Sequence, residues 1–348
     1  MKRSIRNRFG ALAVTAGLVL LTGACTPYLV PQGAAPMRYR DAVFTDVTLT
    51  SDIPYGAGSA VDQDGNTDLL RLDVYAPTGD TVTARPAIIW VHGGSFRGGN
   101  KTSGEIVDEA TVFAKKGFVN FSISYRLTAA GCSASAPASQ CVDAMNDAMH
   151  DAQAAVRWVK ANAATYGVDP TRIAIGGTSA GAITAIHVAL NPNEPQGPSD
   201  PGQSNAVRAA LSLSGANVIG GPDPGDAPFL NWHGTVDPLV PYAWAVSTVS
   251  SARAIGIDAH LKTYTGEGHV PYNHRTEIHD MTTNFLWWHM DLAHAATWVI
   301  VDVRRYPVEA FERAAVPRTA WIAAPAVAIV ASVLFNVVGV AAALIIAL

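Results

Sequence analysis

A chain of 348 residues is long enough for one large core or two small ones. Only 15% of its residues are charged and its net charge is -4, a balance that gives no basis for nucleic-acid binding. Apolar residues gather at the two ends of the chain, and the composition between them is that of an ordinary globular protein.

Lys2, Arg3, Arg6 and Arg8 form a basic head, and an apolar stretch follows from about Phe9 to Leu21. Together they predict a secretory signal over residues 1–24. The stretch ends in Leu21-Thr22-Gly23-Ala24-Cys25. Small residues running directly into a cysteine resemble a bacterial lipoprotein lipobox, with Thr22 where an aliphatic residue usually stands. The resemblance implies lipidation of Cys25, which would become the mature N-terminus and hold the exported protein on the extracytoplasmic face of the cell membrane. The alternatives are an ordinary signal peptide, or an uncleaved anchor, with an incidental cysteine. Residues 25–45, with Pro27, Pro31, Gly33 and Pro36, read as an extended tether.

From 46 to 292 strand-like and helix-like runs alternate. Leu69–Tyr75 alternates like a half-buried strand, and Ala87–Val91 is a continuous apolar run, as a buried parallel strand requires. Further strands are expected at 118–124, 172–175, 209–213, 229–232 and 261–264. Helices are expected at 103–116, 143–164, 182–190, 243–255 and 273–289. Four prolines and two glycines make 191–205 a surface loop rather than a large lid. This alternation predicts an α/β protein with a doubly wound, mostly parallel sheet. Cys132 and Cys141 flank a stretch of small residues suited to a local disulfide in an oxidising compartment. Such a bridge would stabilise by about 2–3 kcal/mol. The alternative is two unpaired thiols.

After a linker over 293–318, the run from Thr319 to Leu348 carries no charge. As a helix it would span about 45 Å, more than a hydrocarbon core of about 30 Å, so a tilted transmembrane helix is expected. Arg304, Arg305, Arg313 and Arg318 precede it and nothing basic follows. For an exported domain that runs against the positive-inside bias and leaves its orientation open. A shifted 3′ reading frame is a further alternative.

Three stretches carry chemistry. Gly177-Thr178-Ser179-Ala180-Gly181 lies between an apolar strand and a helix-like run, the setting in which a G-x-S-x-G sequence forms a nucleophile elbow with the serine hydroxyl exposed. Upstream, His92-Gly93-Gly94-Ser95-Phe96 directly follows the strand ending at Val91. Consecutive glycines there let backbone N–H groups approach a substrate carbonyl. Downstream, Asp237 follows the strand ending near Trp232, between prolines at 238 and 241, and His269 lies just past the last strand in Gly266-Glu267-Gly268-His269. A serine nucleophile needs a histidine base, a carboxylate to orient that base, and N–H donors for an oxyanion. Ser179, His269, Asp237 and the N–H groups of Gly94, Ser95 and Ala180 are the candidates. His274 is the alternative base. An Asx-type turn is the alternative role for Asp237.

The ordered set of these motifs is similar to α/β-hydrolase esterases of the carboxylesterase and hormone-sensitive-lipase-like group. Ser124-Tyr125-Arg126-Leu127 and Gly167 to Arg172 resemble that group as well. The resemblance covers about residues 46–292. It implies an α/β-hydrolase fold, followed by the C-terminal hydrophobic helix, and a carboxylic ester hydrolase working through an acyl-enzyme on Ser179. Small or short-chain esters are the expected substrates, since the sequence shows no long lid insertion, with no cofactor and no metal. Ser95 stands where the group's HGGG motif has a third glycine. The competing functions are a serine peptidase of the same fold and a non-catalytic lipoprotein binding module.

Other signals have plainer explanations. Asp62 to Asp68 spaces oxygens like the start of a calcium loop, but its glycine and its final acid stand at the wrong positions, and a hairpin turn at Asp64-Gly65 is expected instead. Asp143, Asp147 and Asp151 share a helix face that reads as solvated or salt-bridged. The histidines show no zinc-ligand spacing, and no phosphate-binding or dinucleotide motif occurs.

Overall fold

The structure, a computed structural model, describes residues 30–132, 138–192 and 202–293. The expected signal peptide, Cys25, nearly all of the 293–318 linker and the expected helix at 319–348 lie outside these residues. Among the described residues no helix is long and apolar enough to cross a membrane.

An edge strand, β1 (Val47–Val61), folds back on β2 (Thr67–Pro77). Then come β3 (Arg85–Val91), α1 (Gly104–Lys115), β4 (Val119–Ile123), α2 (Ala138–Ala161), α3 (Ala163–Tyr166) and β5 (Val168–Thr178). The chain continues through α4 (Ala180–Leu190), β6 (Ala209–Leu213), β7 (Phe229–Gly234), α5 (Tyr242–Ala254), β8 (Ala259–Tyr264), a 3₁₀ turn (Tyr272–His274) and α6 (Arg275–His289). The eight strands form one sheet in the order β1-β2-β4-β3-β5-β6-β7-β8. The β1–β2 and β2–β4 pairs are antiparallel and all others parallel.

Side chains of a strand alternate between its faces, and β3 shows what each face packs against. Ile88 and Trp90 join Phe113 of α1 and Phe285 and Leu286 of α6. Ala87, Ile89 and Val91 join α2, α4 and α5 through Ala155, Ile186 and Val249. Every residue of β3, β4, β6 and β7 is buried. A sheet covered on both faces explains why these strands read as continuous apolar runs.

Several boundaries differ from the expectation. The long helix begins earlier, at Ala138, and breaks at Asn162, whose side-chain amide (2.9 Å) and backbone N–H (3.0 Å) both donate to the Trp158 carbonyl. Gly167, left-handed at φ 60°, closes α3. Strand β1 was not expected; Pro54 lies within it, and its register shifts twice. The hairpin turn at Asp64-Gly65 is present, with the Asp62 carboxylate accepting the N–H groups of Asp64 (2.9 Å) and Asn66 (2.7 Å). Of the acidic face on α2, Asp147 and Asp151 pair with Arg126 at 2.9 and 2.8 Å.

The expectation of a tether over 25–45 is corrected from Met37 onward, because this segment is docked on the domain. Tyr39 is 1% exposed, packs edge-on against Phe118 (5.3 Å between centroids) and takes a backbone bond to Lys116. Arg38 pairs with Asp80 and donates to the Gly117 carbonyl (3.1 Å). Removing a fully buried aromatic ring costs about 3–5 kcal/mol. Tyr39→Ala should therefore lower the thermal midpoint by roughly 6–15 °C. A midpoint in differential scanning calorimetry within 2 °C of wild type would mean that the segment is not docked.

Candidate active site

The turn between β5 and α4 places Ser179 at φ 53°, ψ -117°, a region that costs a non-glycine residue roughly 1–3 kcal/mol. Its N–H donates to the Leu213 carbonyl at the end of β6 (2.8 Å). The turn lies so close to the end of β3 that a Cβ on residue 181 would come within 2.0 Å of the Val91 carbonyl oxygen. Only glycine fits there.

His269 and Asp237 converge on that serine. His269 Nε2 lies 2.7 Å from Ser179 Oγ, and its Nδ1 lies 2.8 Å from Asp237 Oδ2. Asp237 follows β7 and its side chain is fully buried. Its other oxygen, Oδ1, accepts the N–H groups of Leu239 (2.9 Å) and Val240 (3.0 Å). Asp237 thus makes the Asx-type turn with one oxygen and meets His269 with the other. Burial pushes the Asp237 carboxyl up. The bonds from His269, Val240 and Leu239 outweigh it and hold the group below the usual carboxylate range. His274 bonds Glu267 (3.2 Å) and stacks on Tyr264 (4.2 Å) instead of reaching the serine.

The oxyanion candidates border the serine. Ser95 and Ala180 line, with Ser179, a cavity of about 410 Å3; Gly94 does not. The N–H groups of Gly94, Ser95 and Ala180 donate to no protein acceptor among the described residues, so they are free for a ligand. Cys132 and Cys141 are joined in a disulfide, and both line the same cavity.

Two supporting residues were assigned no role from the sequence. His233 is fully buried, and its Nε2 lies 2.8 Å from the Val240 carbonyl and 3.2 Å from Asp237 Oδ2. It opens the His233–Pro241 stretch that carries Asp237. Ser214 Oγ accepts the N–H of Val270 (2.9 Å) and so holds the loop that carries His269. No sequence pattern marks it.

Two further histidines flank the site and are held neutral. His187, in α4, accepts from the N–H groups of Val218 (3.1 Å) and Ile219 (3.3 Å) through Nε2, and burial lowers it to about 4. Burial likewise lowers His92, whose ring stacks on Tyr125 (4.3 Å), to about 4.

Comparison with known proteins places this geometry. Residues 72–216 match the BD-FAE family. Over 159 residues the chain is 31% identical to Lipase 2 of Diutina rugosa, covering 44% of this chain and 28% of that protein. It is 34% identical over 126 residues to Carboxylesterase 3B of Mus musculus (36% of this chain, 21% of that one). It is 35% identical over 127 residues to Phenmedipham hydrolase of Pseudarthrobacter oxydans (36% and 24%). The chain thus spans about a quarter of the length of these curated relatives. Among solved structures, a butyrate-bound thermophilic esterase of Thermogutta terrifontis superposes with a TM-score of 0.56 at 21% identity, covering 66% of this chain and 92% of that one. A truncated carbohydrate esterase from gut microbiota gives 0.53 at 21% identity, covering 72% and 98%. The shared architecture is the α/β-hydrolase fold.

Two outcomes follow from the site. Asp237→Asn keeps an acceptor for the turn but removes the charge that orients His269, so the rate at which a fluorophosphonate labels Ser179 should fall on the order of 10⁴-fold; labelling within tenfold of wild type would deny Asp237 that role. For His92 and His187 the folded pKa lies below the unfolded value of about 6.5, so between pH 6.5 and 4 the unfolded chain binds more protons. Stability should therefore fall on acidification through that window, by about 3 kcal/mol per ring, and level off below it. Urea titrations across the window check this, and His187→Gln should flatten the slope.

Proposed function

We propose that this chain is a serine hydrolase of carboxylic esters, of the carboxylesterase and hormone-sensitive-lipase-like group. The observation that carries this reading is the unbroken chain of short contacts from Asp237 through His269 to Ser179, at the floor of an open cavity. The lipases and esterases among its relatives support it.

In this mechanism His269 Nε2 takes the Ser179 hydroxyl proton as Oγ attacks the ester carbonyl carbon. The buried Asp237 carboxylate holds Nδ1–H and stabilises the imidazolium that forms. The oxyanion is received by the free N–H groups of Ala180 and Ser95, with Gly94. His269 then gives its proton to the leaving alcohol. Water, deprotonated by the same nitrogen, releases the acid and restores the serine.

The cavity sets the substrate. Its described lining includes Phe96, Met145, Ile183, Leu239 and Trp244 and no charged side chain. An uncharged acyl group of modest size fits about 410 Å3, which favours short-chain esters over ionic ones. A peptidase reading has no comparable support, because no charged side chain of the described lining would hold a peptide's charged terminus.

The same reading assigns the chain a place outside the cytoplasm. The basic and apolar head would export it, Cys25 would carry lipid, and residues 26–36 would space the domain from the membrane. The domain would extend over 46–292, with a linker at 293–318 and a second membrane element at 319–348. A disulfide in the cavity wall suits an oxidising compartment.

Ser179→Ala should leave a folded protein with almost no hydrolysis of p-nitrophenyl butyrate. Turnover by the mutant at the wild-type rate would sink the assignment. Cleavage of aminoacyl p-nitroanilides in preference to esters would move the reading to a peptidase.

A further inference from the structure

The loop that presents the oxyanion N–H groups is strained and is braced from outside. Ser95 (φ 55°) and Phe96 (φ 60°) are both left-handed without being glycine, a conformation that persists only where the surroundings over-determine it. Part of the bracing is internal: the Gly94 carbonyl, which shares a peptide plane with the Ser95 N–H, accepts from Arg97 (3.0 Å) and Gly98 (3.1 Å). The rest comes from residues 128–132. The Cys132 N–H donates to the Ser95 carbonyl (2.8 Å), and the Thr128 N–H donates to the Phe96 carbonyl (3.0 Å). Thr128 Oγ1 accepts the Gly131 N–H (2.9 Å), which folds the segment on itself. Gly131 lies so close to the strained loop that a Cβ there would come within 2.3 Å of the Ser95 carbonyl oxygen.

The segment is fixed in turn by the Ala129 N–H donating to the Asp64 carboxylate (2.6 Å) and by the bond from Cys132 to Cys141, in the first turn of α2. Both cysteines are half-buried and line the cavity beside Ser179 and Ser95. The covalent link therefore runs from a long helix packed in the core, through the cavity wall, to the two carbonyls that hold the oxyanion loop in shape.

We propose that the Cys132–Cys141 disulfide is a positioning element of the site. It forms one wall of the substrate cavity and holds the oxyanion loop in its strained form, so that turnover depends on the redox state of this pair. The inference rests on the hydrolase reading and adds a regulation to it. Reduction by a small dithiol entering through the cavity breaks the S–S bond. Two electrons and two protons pass to the pair, both sulfurs become thiols, and the reductant closes to its own disulfide. With the link cut, residues 128–132 are held by hydrogen bonds such as that from the Ala129 N–H to the Asp64 carboxylate (2.6 Å), and the left-handed residues can relax away from the serine. The triad is untouched, because none of its partners lies on this segment.

The test compares oxidised wild type, Cys132→Ala/Cys141→Ala and Gly131→Ala on p-nitrophenyl butyrate, at a temperature where near-ultraviolet circular dichroism shows each to be folded. A lost oxyanion donor costs roughly 10²–10³ in rate, so kcat in the double variant should fall about tenfold or more while the pH–rate profile keeps its shape. Gly131→Ala retains the disulfide but pushes on the Ser95 carbonyl, and should show the same loss of kcat; if the double variant does not fold, wild type reduced by dithiothreitol and still folded decides the matter, its kcat falling about tenfold or more where the proposal holds and staying at the oxidised value where it fails. A folded double variant, or Gly131→Ala, turning over at the wild-type kcat overturns the proposal, as does a pH–rate profile that changes shape. Failure of the hydrolase reading would show elsewhere, as oxidised wild type without Ser179-dependent turnover.

Discussion

The contact that the site depends on is between two backbones. The Val91 carbonyl at the end of β3 lies against residue 181 in the first turn of α4, at a distance no Cβ would permit. This contact sets how far the loop after β3 stands from the turn after β5. The first carries Ser95, a proposed oxyanion donor, and the second Ser179, the proposed nucleophile. The sheet order makes the approach available, because β3 and β5 are parallel neighbours with Val91 opposite Gly177. In a parallel sheet the strands end on one edge, so everything that follows β3, β5, β7 and β8 emerges on the same side. Ser95, Ser179, Asp237 and His269 come from those four exits. The core does not create the chemistry; it fixes the edge on which the four loops meet.

The electrostatics follow from the same economy. A buried carboxylate is costly unless each oxygen is satisfied. Asp237 meets that demand with two backbone N–H groups on one oxygen and the imidazole on the other. Pro238 contributes no N–H, so the donors come from the two residues after it, and the turn is rigid where it must be. His233, buried behind the acid, bridges toward the Val240 carbonyl and closes the ring. The carboxylate can hold charge near the serine without drawing in water.

How much of this could be read from the chain depended on the range of the forces involved. The strand at Ala209–Leu213 was legible to the residue, since a doubly covered strand must be apolar throughout. The meeting of Ser179, His269 and Asp237 was legible because each follows a strand and has a local signature. Strand β1 was not, because Pro54, Gly56 and Gly58 read as loop, and its register is interrupted where they occur. The docking of residues 37–44 was not legible either. Tyr39 meets Phe118 and Arg38 meets Asp80, partners far along the chain that no periodicity announces. Ser214 was missed for the same reason, its hydroxyl accepting a hydrogen bond from a residue 56 positions away.

The strain in the backbone ties these observations together. Among the described residues eight that are not glycine have positive φ, and Ser95, Phe96, Ser179, Ser214 and Val270 are five of them. All five belong to the site or hold it. Each is also gripped by a hydrogen bond from another element. Ser179 donates to Leu213, Ser214 to Trp232 and Val270 to Ser214 Oγ, while the carbonyls of Ser95 and Phe96 accept from Cys132 and Thr128. Strain of this kind costs stability, and the large buried core offsets it. In return the N–H donors and the base are in place before a substrate arrives, so no reorganisation is needed as charge develops on the carbonyl oxygen. Three of the five grips run to strand ends or to the loops around them, which the sheet holds rigid. The other two, on Ser95 and Phe96, run to residues 128–132, which a covalent bond to α2 helps to hold. That makes the oxyanion loop the one part of the preorganised site whose geometry is set by redox chemistry as well as by packing.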